Sequence, residues 1–82
     1  MARERQGGEG MTRQGVHLTD RQMEILRRSA RGQGAGTIAD QLGIGKDRVK
    51  QIKQDIKAAI GLDAHADTND MLTQARRLGF IQ

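Results

Sequence analysis

Between residues 46 and 57 stand Lys46, Arg48, Lys50, Lys53 and Lys57, with Gln51 and Gln54 among them. Ammonium groups and side-chain amides are the donors that bridge phosphates and base edges, and a glutamine can pair with adenine through two hydrogen bonds at once. The rest of the chain offers little to compete with this stretch. Cysteine is absent, which excludes thiol catalysis, disulfides and cysteine-bound zinc and is compatible with a reducing compartment. Ser29 falls inside an expected helix with no evident base beside it, so no enzymatic activity is expected. His17 lies at the edge of the foldable part. Asp63, His65 and Asp67 spell D-x-H-x-D in a stretch of small residues, which reads as a solvated linker rather than a metal site. Neither a metal nor a cofactor is expected.

The donors need a scaffold, and the chain can supply a small one. Only 16 of the 82 residues are Leu, Ile, Val or Phe, and none precedes Val16. That share sits just under the ~20% at which disorder becomes the default. Two parts are therefore expected: a disordered, glycine-rich arm over residues 1–15, and a folded domain over residues 16–82 with a marginal core. Arg3, Arg5 and Arg13 in the arm could reach a DNA backbone or minor groove, and a plain terminal tail is the competing reading. Few residues are β-branched, there is one aromatic residue and there is no proline, so helices are expected rather than a sheet. The lack of aromatics also argues against single-stranded nucleic acid, whose bases need stacking platforms. No apolar run is long enough to span a membrane. The net charge of +4, with its surplus in residues 46–57, points to a polyanionic partner.

Four helices are legible. Thr19 and Gln22 have the spacing of a capping box, with Leu18 and Met23 placed as a hydrophobic staple. The first helix carries Met23, Ile25, Leu26 and Ala30 and stops at Gly32. Gly32–Gly36 is a loop whose glycine spacing does not match a dinucleotide fingerprint. A short second helix is expected over about 37–42, with Ile38, Ala39 and Leu42 on one face. Gly43-Ile44-Gly45 makes a tight turn, and Gly43 suits a left-handed backbone position. The third helix runs from about 46 to 60. The fourth spans about 68–78, capped by Asp67 or Thr68, with Met71, Leu72, Ala75 and Leu78 on one face. Gly79 ends it, and Phe80-Ile81 is expected to fold back over the core.

The third helix separates its residues cleanly. At about 100° per residue, Val49, Ile52, Ile56 and Ile60 return to one side and face a core. Lys46, Lys50, Lys53 and Lys57 form a ridge along one flank. Gln51 and Gln54 lie on the side turned away from the apolar stripe. A short helix, a glycine turn and a long basic helix make a helix-turn-helix, with the third helix suited to the major groove.

In order along the chain, these residues resemble the LuxR-type DNA-binding domain. Leu18-Thr19-Asp20-Arg21-Gln22-Met23-Glu24-Ile25-Leu26 is similar to that family's L-T-x-R-E-x-E-V-L opening. Gly32 followed by Ile38-Ala39, Leu42-Gly43 and Ile44 is similar to its G…E-I-A-x-x-L-x-I segment. Val49-Lys50, Ile56 and Ile60-Gly61-Leu62 are similar to T-V-K…I…L-G-V. Leu72, Ala75 and Gly79-Phe80-Ile81 are similar to its closing run. The resemblance covers residues 18–81 and implies an all-α, four-helix domain. It further implies that Lys50, Gln51 and Gln54 read bases and that the fourth helix, through Met71, Leu72, Ala75 and Leu78, forms a homodimer.

Departures mark a divergent member, of bacterial or mobile-element origin. Thr37 stands where the family often has Glu, Arg48 where it has Thr, and Ile52 where it has His. The linker before the fourth helix is about three residues longer. The function expected is a cytoplasmic, nucleoid-associated transcription regulator binding double-stranded DNA, either a stand-alone unit or a piece of a larger regulator. Thr37, Lys46, Arg48, Lys53 and Lys57 are expected on phosphates. The alternative is a protein-interaction module of the same fold, pairing with another regulator or contacting RNA polymerase as sigma-factor region four does. No membrane partner is expected.

Overall fold

The computed structural model describes residues 10–82, with two short strands followed by four helices. Strand β1 (Met11–Arg13) pairs antiparallel with β2 (Val16–Leu18), Met11 opposite Leu18 and Arg13 opposite Val16. The helices are α1 (Asp20–Ala30), α2 (Ala35–Leu42), α3 (Lys46–Ala59) and α4 (Thr68–Leu78).

The hairpin corrects one expectation. Residues 10–15 belong to the folded part rather than to an arm; residues 1–9, with Arg3 and Arg5, lie outside the described residues. Gln14 and Gly15 form the two-residue turn, both at positive φ (51° and 81°). That geometry matches the right-handed twist of paired strands. Gly15 adopts it freely, whereas Gln14 is a residue that rarely does. Gly10 is set by close approach. At φ 67°, a Cβ there would overlap the carbonyl of Leu18, and its N–H donates to Asp20 Oδ1 at 2.8 Å.

Helix starts follow local chemistry. Thr19 and Gln22 form the expected capping box: the Gln22 N–H donates to Thr19 Oγ1, and the Thr19 N–H to Gln22 Oε1 at 2.8 Å. Asp67, rather than Thr68, caps α4, in a second capping box with Asp70. Helix α2 begins two residues earlier than expected, with Gly34 at the cap position, so Thr37 sits inside the first turn and caps nothing. Helix α3 ends one residue early, leaving Ile60 as its C-cap.

One core joins these elements. Val49, Ile52, Ile56 and Ile60 face Leu18, Met23, Ile25, Leu26 and Ile38 inside it, as the stripe on α3 demands. Phe80 folds back as expected and is buried, its N–H donating to Ala75 O at 2.9 Å. Met71, Leu72 and Ala75 of α4 are also in this core, 0%, 8% and 0% exposed. The stripe expected at a dimer interface is thus largely used within the protomer, and of its four residues only Leu78 remains half-buried.

Candidate nucleic-acid interface

The helix-turn-helix is positioned from both ends. Gly43 closes α2 in the left-handed conformation at φ 69°, and the Ile44 N–H donates back to Ala39 O. Leu42 and Ile44 pack against the core, which pins the turn. Arg28 ties α1 to α2: its Nε donates to Gln41 Oε1 at 2.9 Å while its guanidinium also reaches Glu24 O. That bridge was not anticipated from the sequence, because its partners lie on different helices.

With Val49 and Ile56 fully buried, the opposite side of α3 must face solvent. Lys46, Arg48, Lys50, Gln51 and Gln54 are all exposed there or on its flanks. Gln51 donates through Nε2 to Asp55 Oδ1 at 3.1 Å, one helical turn on. The contact holds the amide plane and leaves its carbonyl oxygen free to accept. Asp55 is a second unanticipated member of this face. As an acceptor-only group it can take a hydrogen bond from a cytosine amine and repels phosphate.

The lysine ridge is not uniform. Lys46 and Lys50 are exposed, Lys53 is half-buried, and Lys57 is buried at 8% exposure. Burial lowers the pKa of Lys53 from its ordinary 10.5, and the nearby positive charge of Lys57 lowers it further. Thr37 is exposed in the first turn of α2. The first helical bond of α2 runs from the Ile38 N–H to Gly34 O, so the N–H groups of Ala35, Gly36 and Thr37 have no partner within the helix. Helix α3 begins in the same way, with Gly45 at its cap and no side-chain acceptor. The two helices of the helix-turn-helix thus present uncapped positive ends, whereas α1 and α4 are closed by capping boxes.

A protein-family model described as bacterial regulatory proteins, luxR family, matches residues 16–71. The chain belongs to the LuxR family. The match runs from β2 through the first turn of α4, so it contains the whole α2–turn–α3 unit and omits β1 and the end of α4. The family is one of DNA-binding transcription regulators, which accords with a cationic, outward-facing third helix. Comparison with curated proteins and with solved structures returned no match. Among the described residues of this LuxR-family domain, no helix is long and apolar enough to cross a membrane. Asp63, His65 and Asp67 form no metal-binding group; Asp63 Oδ1 instead accepts the His65 N–H at 2.7 Å.

Proposed function

We propose that this LuxR-family domain is a sequence-specific, double-stranded DNA-binding transcription regulator of the bacterial cytoplasm that lays α3 in the major groove. The observation that carries the reading is the exposed sector of α3, where Lys50, Gln51 and Gln54 lie opposite the buried Val49 and Ile56. In the groove these three reach base edges, and Lys46, Arg48 and Thr37 meet phosphates on either side. A module that only pairs with another regulator or with RNA polymerase has no need of uncapped positive helix ends beside the exposed cations Lys46, Arg48 and Lys50.

Dimerisation is part of the reading, but in altered form. With Met71, Leu72 and Ala75 in the core, apposition of two copies through α4 falls to Leu78 and the exposed, polar Thr73, Arg76 and Arg77 of the same helix. Such a surface is too polar to hold two copies together alone. The protein is therefore a monomer in solution that pairs on DNA, where two half-sites one helical turn apart bring the α4 surfaces together.

The test is fluorescence anisotropy with a duplex obtained by binding selection and with a scrambled duplex, at two salt concentrations. The selected duplex should bind more tightly at both, and the difference should shrink in Lys50→Ala. Equal affinity for both duplexes, or capture of a regulator with no DNA binding at all, would overturn the reading.

A further inference from the structure

Lys53 and Lys57 sit one turn apart on the same flank of α3, and this flank is the part of the lysine ridge closest to the body of the protein. Lys57 is more than nine-tenths buried, yet among the described residues no hydrogen bond or ion pair reaches its ammonium group. That group is not fully enclosed by protein. The acids of α3, Asp47 and Asp55, lie on the other side of the helix, and Asp55 is held by Gln51. Elsewhere Glu24 is paired with Arg21 at 3.5 Å.

Lys57 buries its stem and holds its ammonium group at the protein surface without a counter-ion, beside a second cation one turn away that repels it. An apolar residue would fill position 57 better if packing were its only role. We propose that Lys53 and Lys57 form one oxyanion site that takes a single phosphate group. Two ammonium groups on one flank present up to six donors, enough for the non-bridging oxygens of one phosphate. The phosphate belongs either to the DNA backbone, which continues the ridge begun by Lys46 and Lys50, or to a free phosphorylated molecule. The DNA source rests on the function proposed above; the free source does not.

The experiment uses the whole chain labelled with carbon-13 and nitrogen-15 at its lysines, so that each unmodified ammonium group is observed separately by NMR. It is titrated with inorganic phosphate in one arm and with the selected duplex in the other. The Lys53 and Lys57 signals should move together, in both arms or in one, and the responding arm names the source. Lys53→Met and Lys57→Met should each weaken the responding ligand about tenfold, as loss of a charge-assisted hydrogen bond would. In the duplex arm the double variant should flatten the salt slope by about 0.9 in all, the value for one phosphate, because the two lysines share it. Lys57→Met should melt at the same or a higher temperature than the parent, which separates a ligand role from a packing role. Signals that stay still in both arms, or a double variant that loses two phosphates, would overturn the shared site. A parent that binds no duplex but shifts both lysines with inorganic phosphate would sink the DNA reading and leave the site standing.

Discussion

The side-chain amide of Gln14 lies 3.3 Å from the carbonyl oxygen of Arg77, a residue 63 positions further along the chain. The same amide reaches Leu78 O at 3.4 Å, and Arg13 Nε donates to Gly79 O at 3.3 Å. The hairpin tip therefore supplies donors to carbonyls at the end of α4 that lack partners within their own helix. This offsets the unusual positive φ of Gln14. Gln14→Ala should keep the backbone strain and lose the donors, at about 1 kcal/mol. Amide exchange should quicken at Gly79 and Phe80 and stay unchanged in α2. Unchanged protection at the end of α4 would show the contact to be idle.

A second consequence concerns Gly10. An alanine there keeps a left-handed backbone at a cost of about 1–2 kcal/mol, and its Cβ collides with the Leu18 carbonyl. Gly10→Ala should therefore detach the start of the hairpin from α1 and break the bond to Asp20. Gly15→Ala meets no atom within 4 Å and should cost only the backbone term. Comparing the two by chemical denaturation isolates the collision; equal losses would refute it.

These contacts also mark where the sequence stopped being legible. The capping box at Thr19, the stripe through Val49 and Ile56 and the left-handed Gly43 are local patterns, and each formed as its spacing demands. The hairpin was hidden because Gln-Gly is a weak turn signal and each strand has only three residues. Its clasp was hidden because the acceptors lie at the far end of the chain. Lys57 reads as one more lysine of a ridge, since only the elements packed beside it decide its burial. The stripe on α4 was ambiguous for the same reason, because an apolar face looks alike whether it meets a core or a partner.

That ambiguity makes Leu72 and Leu78 a useful pair. A charge at the buried Leu72 should unfold the protomer, at roughly 3 kcal/mol or more. Leu78→Asp, at a half-buried position, should leave a folded monomer that binds a single half-site normally and loses cooperative binding to a paired site. Circular dichroism reports the first effect and a two-half-site titration the second. A parent that sediments as a dimer without DNA would contradict the monomer proposed here.

The depressed pKa of Lys53 has a definite sign in stability. Below its folded value, both folded and unfolded chains carry the charge, and the folded state bears the whole desolvation penalty. As pH rises through the folded value toward 10.5, the folded state sheds its proton first and gains stability. The group is substantially solvent-exposed, so the gain is small. Melting temperature should rise across that alkaline window more in the parent than in Lys53→Met. An identical rise in both would assign it to other groups.

Thr37 gives the sharpest separation between fold and function. It is exposed at the third position of α2, the cap is Gly34, and no side chain closes this helix end. Thr37→Val therefore removes a hydroxyl that stabilises nothing in the free protein, and the unfolding free energy should stay within about 0.5 kcal/mol of the parent's. In the proposed complex the same hydroxyl would lie beside the free N–H groups of Ala35 and Gly36, where a phosphate is favoured. The variant should then bind every duplex more weakly, by a similar factor for selected and scrambled sequences. Lys50→Ala should differ in kind, costing about 1–3 kcal/mol on the selected duplex and relaxing preference at one base pair. A binding selection on both variants distinguishes the two roles. A shifted consensus in Thr37→Val would make Thr37 a base reader and move the groove contact from α3 alone to α2 and α3 together.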